Sequence, residues 1–246
     1  MSKLSQRISR VARYESGPLG FGAIANRKSE QTMLLVVRLA ANDARRIADL
    51  AKVGVDIALI DSPGTQKLPD AGELIAGGVI TSGDSTIAAS LREAGFDFLV
   101  LEPESVQADV LQDEQLGFVF AMSPAAEDSE LRLLESLTLD ALLLPAVKAP
   151  LTVKQQLELR RVALLAHKPL LVTLPDVIAG PQLRSLRDSG VIGVVVDGKA
   201  DKTIAGVRKA IDEMPPRRQR REERTTALLP SMGFRSAPEE HDDEDD

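Results

Sequence analysis

The chain has 246 residues, a formal charge of −7 and 43% hydrophobic residues, with only 3% aromatics and neither cysteine nor tryptophan. That inventory excludes disulfides, thiolate catalysis, cysteine-ligated zinc and iron–sulfur centres, and it fits a reducing, cytoplasmic compartment. No apolar run approaches the roughly 18 residues that span a bilayer. The terminal EEHDDEDD holds seven acids, so the rest of the chain is close to neutral and shows no nucleic-acid footprint.

Residues 1–29 form an N-terminal arm with no apolar core of signal-peptide length. Leu4, Ile8 and Val11 recur at helical spacing with basic residues between them. They predict a short helix that closes one end of the following domain, with membrane-surface contact as the other reading. The Gly-rich stretch at 17–29 follows no strand, so it reads as an irregular lead-in rather than a phosphate cradle. Between 30 and 214 short apolar runs alternate with helical or loop segments. MLLVVRL (33–39) comes first, and then a helix with Asn42 as candidate cap and Ala44, Ile47, Ala48 and Ala51 on its apolar face. A strand ending at Asp61 leads into a turn-rich segment with room for a short helix only. GGVITS (77–82) precedes a helix that Asp84 can cap, with Ile87, Ala88, Leu91 and Ala94 facing inward. A strand ending at Glu102, a short acidic link and LGFVFAM (116–122) follow. DSELRLLESL reads as a helix capped by Asp128 or Ser129, and the next strand breaks at Pro145. Thr152 caps the longest helix, with Leu157, Leu164 and Leu165 assigned to its buried side. KPLLVTL (168–174), a further helix, a strand ending at Asp197 and KTIAGVRKAIDEM complete the domain. From Pro215 the chain turns basic, then apolar, then acidic, and 215–246 is expected to be a basic helix and a disordered acidic tail.

Four of the strands carry one degenerate repeat: LAKVG-VDIALID, LREAG-FDFLVLE, LESLT-LDALLLP and LRDSG-VIGVVVD. Gly54, Gly95 and Gly190 fit the left-handed position after a helix, and Thr138 departs from it. The anchors 54, 95, 138 and 190 lie 41, 43 and 52 residues apart. One βα unit takes roughly 20–30 residues, so each interval holds two. Eight nearly continuous apolar strands alternating with helices predict a compact α/β fold, a closed (β/α)8 barrel, with an open doubly wound parallel sheet as the alternative. The domain is short for a barrel, so one or two helices are expected to shrink to turns.

This βα patterning resembles the superfamily of aldolase-type and phosphate-binding TIM barrels. The resemblance implies phosphate-holding loops after the seventh and eighth strands. Here those places read Pro175-Asp176 and Asp197-Gly198-Lys199, with acids where a phosphate would sit.

Barrel active sites lie at the C-terminal ends of the strands. The repeat places Asp61, Glu102, Pro145 and Asp197 in one register, so three carboxylates are expected to converge there. Like charges so placed need a cation, a basic partner or a shared proton. Asp61, Glu102 and Asp197 are therefore candidate ligands for a hard divalent ion, Mg2+ or Mn2+, or candidate acid–base groups. The alternative is closure of the barrel mouth by salt bridges with Arg38, Lys148 and Lys199. Lys199 joins the candidate catalytic set, and Lys148 and Lys199 are also candidate Schiff-base lysines. Arg38, Lys148 and the hydroxyls of Ser62, Thr81, Ser82 and Ser123 are candidate substrate-binding groups. Asp56, Asp97 and Asp140 fall at the opposite strand ends and read as structural. Two functions remain open. One is a lyase or isomerase acting on a small oxyanionic metabolite. The other is a non-catalytic barrel serving as an interaction or scaffold protein. Nothing in the sequence excludes a homo-oligomer.

Overall fold

The computed structural model describes residues 2–12, 32–69, 72–102 and 104–215. The basic–acidic segment expected beyond 215 and the Gly-rich lead-in lie outside the described residues. Eight parallel strands close on themselves in chain order: β1 Leu34–Leu39, β2 Ile57–Asp61, β3 Ile75–Ile80, β4 Phe98–Leu101, β5 Gly117–Ala121, β6 Ala141–Leu144, β7 Leu170–Thr173 and β8 Val191–Asp197. The fold is a (β/α)8 barrel. α1 (Lys3–Ala12) precedes the strands, and α2 (Ile47–Lys52), α3 (Ser85–Ala94), α4 (Asp128–Leu133), α5 (Val153–Ala166), α6 (Gly180–Asp188) and α7 (Asp201–Asp212) surround them. No helix of the described residues is long and apolar enough to cross a membrane.

The compact domain economises on its outer ring. The chain after β2 forms no described helix, and a short 3-10 turn (Ala108–Gln112) follows β4. Leu68 covers the first gap by packing against the outer core, and its N–H donates to the Ala94 carbonyl. Asp84 caps α3 by accepting from the N–H groups of Thr86 and Ile87, and Thr152 and Gln155 form a capping box on α5. Gly54, Gly95 and Gly190 all adopt positive φ, as their place after helices requires.

Several local expectations are corrected. Asn42 caps nothing: the segment starts as a 3-10 turn at Ala41, and its buried residues are Ile47 and Leu50. α4 starts at Asp128 and gains no side-chain cap from it. β3 runs two residues earlier than GGVITS suggests. Ile87 is 41% exposed. On α5 the buried residues are Leu159, Val162 and Ala166, whereas Leu157 and Leu164 point outward. The helix is apolar on both sides, so periodicity alone had two stripes to choose between.

Side chains alternate between two cores. Leu35, Val37, Ile60, Leu99, Phe118, Leu142 and Val194 face the helices, and Leu34, Val36, Ile57, Leu59, Phe98, Val100, Val119, Leu143 and Val195 fill the barrel. Phe98 is the largest fully buried side chain. Its partners in register are Gly77 on β3 and Gly117 on β5. A Cβ at Gly77 would run into the Phe98 ring. The bulky ring and the two bare neighbours are one packing solution.

α1 plugs the N-terminal end of the barrel. Leu4 and Ile8 join the inner cluster, with Val11 packed against it. Three repeat-related aspartates hold this plug. Asp97 accepts from the N–H groups of Lys3 and Leu4, at 2.9 and 2.8 Å, and so caps the helix start. Asp140 accepts from the Ser2 hydroxyl at 3.2 Å. Asp56 accepts from Leu35 N–H and pairs with Arg7 and Arg208. The fourth copy has Ile192 in this place, and it packs against the inner cluster.

Gly77→Ala should destabilise by about 1–3 kcal/mol through overpacking, and Phe98→Leu in the same chain should recover part of the loss in urea titration. Burial holds the Asp140 carboxyl above its ordinary 3.8, with Ser2 opposing the shift. A raised native pKa stabilises the fold below 3.8, and that contribution disappears as pH rises through the native value. Asp140→Asn should therefore gain stability relative to the parent at neutral pH and lose that advantage below 3.8, as read from denaturation at a series of pH values.

Candidate functional site

The C-terminal ends of the strands open into a cavity of about 880 Å3 on the β3–β6 side of the mouth. Its floor is built by the inner register. Val79, Val100, Ala121 and Leu143 lie below, and Thr81, Glu102, Ser123, Pro145 and Thr173 stand at the next level. Arg38 from β1 reaches the same space. Glu104, Ser105, Phe120, Met122 and Glu130 form the outer wall. Each floor residue follows from period-2 alternation: a strand that buries Val79 or Leu171 inside also turns Thr81 or Thr173 inward.

The expected carboxylate layer divides. The register reading holds where the strands carry it, since Ile57, Leu59, Phe98, Val100 and Val195 all face the interior. The side chains beyond them find separate partners. Arg38 Nε donates to Asp61 Oδ1 at 2.7 Å, with both side chains partly exposed. Asp197 Oδ1 accepts from Lys199 N–H at 2.9 Å. Glu102 alone of the three lines the cavity. Among the described residues no three His, Asp or Glu side chains are grouped to hold a metal ion. Of the three acids read as ligands for Mg2+ or Mn2+, Asp61 is engaged by a basic side chain and Asp197 by a backbone donor.

The remaining candidates also separate. Ser123 lines the cavity, and its hydroxyl accepts from Ala125 N–H. Ser82 does not line it, because β3 places Thr81 in the inward register and Ser82 in the outward one. Lys148 and Lys199 are exposed and do not line it. His167 ends α5 and pairs with Glu135, at the far end of the helix from the mouth. Thr173 and Ser105, with the acids Glu104 and Glu130, escaped the sequence reading. Parity with Leu171 gave a signal for Thr173, but the wall residues belong to loops, which carry no periodic signal.

The turn after β8 shows what became of the phosphate loop that the resemblance implied. Gly198 N–H donates to the Arg38 carbonyl at 2.8 Å, Lys199 N–H is taken by Asp197, and Arg46 binds the Gly198 carbonyl at 2.6 Å. A Cβ at Gly198 would meet Leu39 and the Arg38 carbonyl, so this backbone is packed against β1. The donors that would cradle an anion are spent within the chain, and the Asp197 carboxylate holds one of them.

Among solved structures the chain is similar to a mutant tryptophan synthase alpha-subunit from the hyperthermophile Pyrococcus furiosus, with a TM-score of 0.55, 15% identity, and coverage of 74% of this chain and 97% of that one. It is similar to the tryptophan synthase complex from Pyrococcus furiosus at a TM-score of 0.53 and 15% identity, with the same coverage. A cube-shaped, highly porous protein cage designed by fusing symmetric oligomeric domains gives 0.53 and 12%, with 72% of each chain covered. No family model and no curated protein matches the chain. These likenesses show the fold alone: a (β/α)8 TIM barrel.

Because the Arg38–Asp61 pair is partly exposed, Asp61→Asn should cost no more than about 1 kcal/mol. Millimolar Mg2+ or Mn2+ should leave the melting temperature of the parent unchanged in a thermal-shift assay.

Proposed function

We propose that the protein is a barrel enzyme of lyase or isomerase type that binds a small carboxylate-bearing metabolite in the β3–β6 cavity. The observation that carries this reading is the cavity itself, open at the strand ends where barrels of this fold do chemistry and lined by polar as well as apolar side chains. Arg38 supplies its cation. Asp61 engages the guanidinium through Nε and fixes its orientation, which leaves the two Nη groups to take a carboxylate end-on. The self-satisfied turn after β8 argues against a phosphate in the usual place. Glu102, on the opposite side of the mouth, is the candidate proton carrier. Thr81, Ser123 and Thr173 offer hydroxyls to orient polar groups of the ligand, and Phe120 and Met122 offer apolar wall. The acids Glu104 and Glu130 select against ligands of higher negative charge.

A non-catalytic barrel is the second reading. It draws on the absence of histidine from the mouth among the described residues, since His167 sits at the other end of a helix. It expects ligand binding without turnover.

A thermal-shift screen against small mono- and dicarboxylates should give a stabilising hit that Arg38→Met removes while the unliganded melting temperature barely moves. Glu102→Gln should keep the hit and reduce turnover at least a hundredfold, the usual contribution of a positioned acid or base. A hit indifferent to Arg38→Met would sink the reading.

A further inference from the structure

The charge around the β3–β6 cavity does not match a plain carboxylate. Its lining holds one guanidinium, Arg38, against three carboxylates, Glu102, Glu104 and Glu130. Arg38 is already partly neutralised, because Asp61 accepts from its Nε at 2.7 Å. Among the described residues none of the three glutamate side chains accepts a hydrogen bond or enters an ion pair. Lys148 and Lys199 stand outside the lining. The mouth therefore carries net negative charge, which opposes the entry of a simple anion.

Topology keeps the two signs apart. Arg38 comes from β1, and β4 lies three strands away round a closed ring of eight. Glu102 and Glu104 follow β4, and Glu130 belongs to α4, after β5. The cavity thus has a cationic side and an anionic side, with Phe120, Met122 and Leu143 available to a hydrocarbon stem. Three kinds of cation could answer the acids. A divalent ion needs ligands gathered about one point, and among the described residues no three His, Asp or Glu side chains are so grouped. A lysine of the chain would have to stand in the lining, and none does. The third is a cation carried by the ligand itself. A carboxylate alone meets repulsion from the acids, and an amine alone meets repulsion from Arg38. A molecule that bears both charges suits both sides, and the same charges reject its singly charged analogues.

We propose that the ligand of this cavity is an aminocarboxylate, an inference that rests on the reading of the cavity as a carboxylate site. Its carboxylate meets the Nη groups of Arg38, and its ammonium is held by the wall that Glu104 and Glu130 form. Glu102 remains the proton carrier. Such a wall tells an amino acid from the acid of the same skeleton by charge-assisted hydrogen bonds to the ammonium. The test is calorimetric titration of the full chain with the common amino acids and β-alanine, each set against the acid of the same carbon skeleton lacking nitrogen. At least one amino acid should bind roughly tenfold or more tightly than its matched acid, the margin that hydrogen bonds to charged groups allow. Glu104→Gln combined with Glu130→Gln should erase that margin and leave the matched acid bound as before or more tightly. Both glutamates are exposed, so the unliganded melting temperature should hold, and the comparison within the parent chain stands without the variant. Arg38→Met should weaken both members of a pair. Matched acids that bind as tightly as their amino acids, or a margin indifferent to the glutamine substitutions, would overturn the ammonium site and leave the carboxylate reading standing. Binding untouched by Arg38→Met, or no binding by any compound, would overturn both.

Discussion

Everything in this barrel depends on filling a narrow interior without histidine, cysteine or tryptophan. Aliphatic side chains do most of it, and Phe98 does the rest. Its ring occupies space that the neighbouring strands leave by presenting Gly77 and Gly117 in register. A closed sheet cannot relax outward to admit extra volume, because each strand is hydrogen-bonded on both sides. The glycines on β3 and β5 are thus set by a residue on β4.

The two ends of the barrel solve opposite problems. At the N-terminal end, α1 brings apolar side chains and unpaired N–H groups to a ring of aspartates. Asp97 satisfies two of those donors, and Leu4 and Ile8 enter the inner core. Charge there stabilises a lid. At the C-terminal end the same repeat leaves acids at Asp61, Glu102 and Asp197, each with its own environment. Asp61 steadies Arg38, Asp197 closes a turn, and Glu102 alone faces open space. One repeated sequence pattern therefore yields structure at one end and a cavity at the other.

The cavity is asymmetric for a backbone reason. The β7–β8 side, where the resemblance led a phosphate loop to be expected, is occupied by contacts of the chain with itself. Gly198 packs on β1, and Arg46 clamps its carbonyl. The described cavity opens towards β3–β6, where a short 3-10 turn follows β4 and the wall rises from the loops after β4 and β5. Shortening the outer ring thus also shaped the mouth.

The sequence by itself determined the strands, their parallel order and the inward register. Apolar runs, helix-ending glycines and a doubled βα period are local signals, and a closed barrel is the arrangement that buries all eight strands on both faces. It determined the structural face too, since Asp56, Asp97 and Asp140 recur at the starts of three repeat-related strands. Tertiary structure decided what the C-terminal residues meet. Asp61, Glu102 and Asp197 share a register, but register fixes direction and not partner: Arg38 comes from β1, and the N–H that holds Asp197 comes from a turn. It decided also which stripe of α5 was buried, because a helix apolar on two sides takes its inner face from the barrel it packs on.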